Sequence, residues 1–140
     1  ADGTSIKTKT IIWAAGIAGN FIDGIPNSSK VRGNRIKVNE FNQVESLENV
    51  FAIGDVAFLD NDPRYPNGHP QVAPVASQQG ENVAYNIRMI LEEKPLKPFK
   101  YVNLGTMATV GRNRAVVDFN GLRYSGFLAW ATWLFVHLMF

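Results

Sequence analysis

Apolar positions recur along this chain in three patterns, and each pattern predicts a different kind of element. Thr10-Ile11-Ile12-Trp13-Ala14-Ala15 and Val50-Phe51-Ala52-Ile53 are continuous runs, closed by Gly16 and by Gly54-Asp55. Continuous rather than alternating apolarity predicts strands buried on both faces, as in a parallel sheet covered by helices. Arg35-Ile36-Lys37-Val38 alternates polar with apolar, which predicts a strand with one covered face, and Gln43-Val44 is a candidate short partner. From Val75 the apolar or small positions fall at 75, 76, 79 or 80, 83, 84, 87, 90 and 91. That spacing is helical, and the helix is expected to end near Glu93-Lys94, ahead of Pro95.

Between these runs the chain is punctuated by turn formers. Asp2-Gly3 is a turn pair, and residues 17–34 collect glycines, Pro26 and Ser28-Ser29, which reads as loop. Residues 58–71 hold three prolines and a glycine, predicting a long exposed loop of the kind that is more often functional than idle. Residues 94–100 form a linker with Pro95 and Pro98. A hairpin is expected from Gly105-Val110 and Ala115-Val117 around Gly111-Arg112-Asn113-Arg114, with a second turn at Asn120-Gly121.

The last fourteen residues, FLAWATWLFVHLMF, include twelve apolar ones and no formal charge. As a helix they would rise only about 21 Å, short of the roughly 30 Å hydrocarbon core of a bilayer. The run stops without a cap or charged anchor, so the sequence is expected to be a fragment whose final helix begins a monotopic membrane anchor. Trp130 and Trp133 lie three apart, on the side expected to meet a bilayer interface. A core helix packed against another part of the protein is the alternative.

Composition narrows the function. The chain has 140 residues, 46% of them hydrophobic, with 14 basic and 12 acidic side chains mixed along its length. No basic stripe of the kind that binds nucleic acid is present. The absence of cysteine excludes disulfides, thiolate zinc sites and thiol redox chemistry carried by these residues. No phosphate-cradling glycine motif and no paired-histidine metal spacing occurs, and no metal ligand is assigned. His69 and His137 are expected to be an exposed loop residue and an interfacial polar residue.

Two stretches carry candidate chemistry. A buried strand ending in Gly54-Asp55 would put a carboxylate at the carboxyl edge of a sheet, where open α/β folds bind ligands, with glycine permitting close approach. Asp55 could then accept hydrogen bonds from sugar-like hydroxyls; an ordinary turn aspartate is the competing reading. The second stretch is Ala73-Pro74-Val75-Ala76-Ser77-Gln78-Gln79-Gly80. Pro74 suits a first helical turn, and the N–H groups after it would favour a ligand that gains negative charge. Gln78 could point a neutral donor and acceptor into the same site. The competing reading is a plain amphipathic helix with two exposed glutamines.

The order TIIWAAG, NVFAIGD, a proline-rich loop, AxVAxQ opening a helix, GTMATVG and an aromatic GFLAW tail resembles the carboxyl-terminal part of the type II NADH:quinone oxidoreductases, the single-subunit alternative NADH dehydrogenases. The resemblance covers nearly the whole chain. It implies an α/β fold: the C-terminal part of an FAD-binding doubly wound domain, plus a β-hairpin and an apolar C-terminal helix. Residues 1–100 would belong to the FAD-binding domain, including the strand returning from an NADH domain, and residues 101–140 to the hairpin and anchoring helix. Gly54 and Asp55 would contact FAD near its ribityl chain, and the N–H groups around Val75 and Ala76 would face the pyrimidine end of the flavin. Gln78 matches the second glutamine of the family's AQxAxQ quinone motif, whereas Pro74 replaces the first.

The activity so implied is electron transfer from NADH through FAD to a quinone without proton pumping, with the protein peripheral on the cytoplasmic face of the inner membrane and a homodimer compatible with the resemblance. The 140-residue piece is not expected to bind FAD or NADH tightly, or to be active, on its own. A sulfide:quinone oxidoreductase shares the architecture but uses redox cysteines, which are absent. A non-catalytic partner-binding domain, docking through the aromatic tail, is the remaining alternative.

Overall fold

A computed structural model of the chain describes residues 3–119 and 121–139. Two small sheets and two helices make up the regular structure. The first sheet has the order β1-β2-β3, built from Lys30–Val31 (β1), Arg35–Lys37 (β2) and Ala57–Phe58 (β3). β1 pairs antiparallel with β2, and β2 parallel with β3, Ile36 opposite Ala57. The alternation foreseen at 35–38 is realised, with Ile36 and Val38 buried among Val44, Ala52, Ala57, Leu59 and Val75. Gln43-Val44 returns as expected, through single bridges from Val38 to Val44 and from Gln43 to Phe51.

The long helix α1 spans Ala73–Leu91 with Pro74 in its first turn. Its end is a Schellman motif: the Lys94 N–H reaches the Met89 carbonyl at 2.8 Å and the Glu93 N–H that of Ile90 at 3.2 Å, with Glu93 left-handed at φ +53°. The predicted helix and its stop ahead of Pro95 thus agree with the structure.

The second sheet, β4-β5-β6, comprises Thr106–Thr109 (β4), Ala115–Phe119 (β5) and Leu122–Gly126 (β6), all antiparallel. The hairpin falls where the sequence put it; Asn120 of the second predicted turn and Asp2 of the first lie outside the described residues. Gly105 introduces β4 at φ +102°, where a Cβ would come within 2.5 Å of the Asp118 carbonyl, so no other residue fits. Helix α2 (Phe127–Met139) follows β6 and buries Ala129 against Ala115 and Val117.

Three expectations are corrected. Residues 10–15 form no strand: the run pairs with neither sheet, and Ile12 and Trp13 are each 86% exposed. Residues 50–53 form a single bridge rather than a strand. Their backbone meets only the 42–44 turn, with Val44 N–H on the Val50 carbonyl and Ala52 N–H on that of Asn42. Asn42, left-handed at φ +64°, stops that pairing from propagating. Consequently Gly54-Asp55 precedes the parallel strand β3 instead of closing a longer one. Finally, Trp130 and Trp133 pack inward on the second sheet, while Phe127, Leu128, Phe135, Leu138 and Met139 face outward.

Candidate functional site

Gly54, Asp55 and Val56 make one 3-10 turn between the 50–53 segment and β3. Gly54 holds φ +68°, and a Cβ there would stand 3.3 Å from the Ala76 Cβ. The turn therefore rests directly on the first turn of α1, at a distance tighter than a side chain ordinarily makes and in a left-handed conformation that favours glycine. Its N–H is taken by the Gln79 Oε1 at 2.7 Å. Asp55 is exposed, and its carboxylate takes no hydrogen bond among the described residues, while its backbone carbonyl accepts from Gln71 Nε2 at 3.0 Å. An open carboxylate beside a close-approach glycine fits a hydroxyl-rich ligand.

The helix start is held by the carbonyl of Val72, which accepts from the N–H of both Val75 (3.1 Å) and Ala76 (3.3 Å). Both bonds are long and share one acceptor, and α1 has neither a side-chain cap nor an acidic residue in its first turn. The positive end of the helix is thus left uncompensated. The Val75 side chain itself belongs to the core.

Gln78 and Gln79 diverge. Gln78 is half-buried and clamps the Val102 backbone, donating Nε2 to its carbonyl at 2.9 Å and accepting its N–H on Oε1 at 3.0 Å. Two helical turns on, Asn86 does the same to Lys97, with bonds of 2.9 and 2.8 Å, and Asn82 donates to the Lys97 carbonyl. Side-chain amides at 78, 82 and 86 thereby stitch the 97–102 segment to α1 as a strand edge would. Between them lies a groove of about 540 Å³ lined by Gln78, Glu81, Asn82, Tyr85, Lys97 and Phe99, among others. The amide of Gln78 keeps a second N–H and a second lone pair for a ligand there. So the structure brings Gly54, Ala76 and Gln79 together and sets Gln78 on the same helix, turned toward a separate groove. The expected pair of exposed glutamines is corrected, because Gln79 is 1% exposed.

The proline-rich loop holds a residue misread from sequence. His69 is 2% exposed, walled by the rings of Tyr65, Phe99 and Tyr101 at centroid distances of 5.0–5.7 Å. Neither ring nitrogen has a hydrogen-bond partner; Asp62 Oδ2 stands 3.6 Å from Nε2, too far for one. Burial lowers the His69 pKa, against the opposing pull of Asp62. The Arg64 hydrogen bond holds Asp62 at a pKa of about 2, and the same guanidinium reaches the Tyr101 carbonyl at 3.0 Å. Arg35 ties the loop to the first sheet through the Ala57 and His69 carbonyls. Only the aromatic density at 65, 99 and 101 could have signalled this cage. Among the described residues no group of three histidine or acidic side chains could hold a metal ion.

A family model described as pyridine nucleotide-disulphide oxidoreductase matches residues 1–80. The chain belongs to that family. It is similar to an internal alternative NAD(P)H-ubiquinone oxidoreductase, mitochondrial, of Arabidopsis thaliana, 30% identical over 98% of this chain and 30% of the relative. It is also similar to a type II NADH:quinone oxidoreductase of Mycobacterium tuberculosis, 32% identical over 100% of this chain and 31% of the relative, and to one of Staphylococcus aureus, 35% identical over 79% and 27%. The chain therefore spans about 30% of the length of the curated relatives it matches.

Proposed function

We propose that this chain is part of a flavoprotein that passes electrons from NADH through FAD to a quinone without pumping protons. The observation that carries the reading is the similarity, over all of the chain, to a type II NADH:quinone oxidoreductase. The Gly54–Ala76 contact supports it, because it provides the close-packed, uncompensated helix start that a reduced flavin needs. FAD, when bound, supplies the redox chemistry. The chain's own residues bind and orient it: the Asp55 carboxylate accepts from ribityl hydroxyls, Gly54 admits the flavin close to the backbone, and the first turn of α1 around Val75 and Ala76, whose N–H groups are held by the Val72 carbonyl, turns the positive end of the helix to the pyrimidine end. Gln78 presents its remaining donor and acceptor to the quinone.

In this reading residues 1–100 contribute to a doubly wound FAD-binding domain and residues 101–140 to a hairpin with a membrane-facing helix. The outward apolar face of α2 supports monotopic attachment; the location in this proposal is the cytoplasmic side of an inner membrane, and a homodimer is compatible with it. No helix among the described residues is long and apolar enough to cross a membrane. Asp55→Ala in the whole protein tests the flavin assignment: the variant is expected to retain less than about half of its FAD through purification, as loss of a charged hydrogen-bond acceptor implies. Unchanged flavin content contradicts it.

A further inference from the structure

Gln79 is the most enclosed polar side chain of the site, and the proposed reaction gives it no role. It follows Gln78 on α1, rotated by about 100° around the axis, so that the two amides leave the helix in different directions. Gln78 reaches Val102, whereas Gln79, 1% exposed, accepts the Gly54 N–H at 2.7 Å. That bond joins the Ile53–Gly54 peptide, one residue ahead of Asp55, to the helix whose first turn lies 3.3 Å from the place of a Gly54 Cβ. Without an acceptor the Gly54 N–H would be left unpaired against the helix, and the turn would lose its hydrogen bond to α1, keeping the one from Gln71 to the Asp55 carbonyl.

Resting on the flavin reading of Gly54 and Asp55, we infer that Gln79 is a positioning residue for FAD: it locks the Gly54–Asp55 turn to the start of α1, so that carboxylate and helix end meet the cofactor as one rigid cradle. Gln79 lies beneath the turn and acts through it. Because Gln78 occupies the adjacent position, the same helical turn sets both the flavin side and the quinone side.

The test is titration of the flavin-stripped whole protein with FAD, followed by flavin absorbance, for Gln79→Met, Gln79→Glu and Asp55→Ala. Methionine matches glutamine in length and lacks the acceptor; glutamate keeps it. Gln79→Met is expected to weaken FAD about tenfold, equivalent to about 1.4 kcal/mol, and to shift the bound-flavin absorption band. Gln79→Glu is expected to bind FAD within about threefold of wild type, since a carboxylate accepts the same N–H. Wild-type affinity and spectrum in Gln79→Met, or equal loss in both variants, overturns the positioning role while a weakened Asp55→Ala leaves the flavin reading standing. Unaltered FAD affinity in Asp55→Ala overturns the flavin reading, and the positioning role with it. Should Gln79→Met fail to fold by circular dichroism, a folded Gln79→Glu with normal affinity upholds the inference and a depleted one overturns it; failure of both to fold assigns Gln79 to the core and overturns it.

Discussion

At the scale of single residues, the site depends on where side-chain amides and one histidine go when they are not on the surface. Gln79 and Asn86 are fully buried, yet each spends its amide on a backbone group. His69 is buried with its ring unpaired, which makes it a liability in acid. Its folded pKa is lowered by burial, so the unfolded chain takes up the proton more readily as pH falls below the ordinary histidine value of about 6.5. Stability is therefore expected to drop as pH falls below about 6.5, well above the pKa of about 2 at which folded Asp62 titrates. His69→Phe fills the aromatic cage without titrating, so its Tm should fall less over that range than the wild type's. Parallel Tm curves would contradict the assignment.

At the scale of elements, α1 is the frame. Its period, its Pro74 start and its stop ahead of Pro95 were all readable, because apolar spacing and proline act locally. The amide stitches at 78, 82 and 86 were not, since glutamine and asparagine on a helix look solvated until the chain that covers them is known. The hairpin of β4 and β5 was legible from its Gly-Arg-Asn-Arg turn, whereas β6 was announced only by the Asn120-Gly121 pair ahead of it and the short alternation Leu122-Arg123-Tyr124-Ser125. The runs at 10–15 and 50–53 misled for one reason: continuous apolarity predicts a two-sided strand only where neighbours exist on both sides. At the end of α1, Glu93 holds a left-handed conformation that glycine adopts freely. Glu93→Gly is expected to raise stability by about 0.5–1 kcal/mol in chemical denaturation, and Asn86→Ala to lower it by about 2 kcal/mol by leaving the Lys97 backbone unpaired. A stabilised Asn86→Ala would mean that the stitch to Lys97 is replaced by water at no cost.

At the scale of the whole molecule, two cores divide the work. The first, around Ile36, Val38, Ala57 and Val75, supports the Gly54–Asp55 turn and the start of α1. The second packs the Ala129 face of α2 on the antiparallel sheet and turns Leu128, Phe135 and Leu138 outward. The tail's apolarity was plain in the sequence, but which side it would present was not. The tryptophans, favoured there for an interface, are drawn instead onto the sheet beside Met107, Phe119 and Tyr124. If the outward face meets lipid, the triple substitution of Leu128, Phe135 and Leu138 by lysine should leave the fold intact and weaken sedimentation with lipid vesicles by at least about a hundredfold. Undiminished vesicle binding would assign that face to a protein contact.

The most direct test of the central claim is anaerobic rapid mixing of the whole flavin-loaded protein, first with NADH and then with a soluble quinone, watching the visible absorption band of the oxidised flavin. Bleaching by NADH and its return on adding quinone are expected, with Gln78→Leu slowing the return by about tenfold and leaving the bleaching unchanged, as for loss of one hydrogen bond to the acceptor. A flavin band that NADH does not bleach, or one that quinone does not restore, would contradict the account.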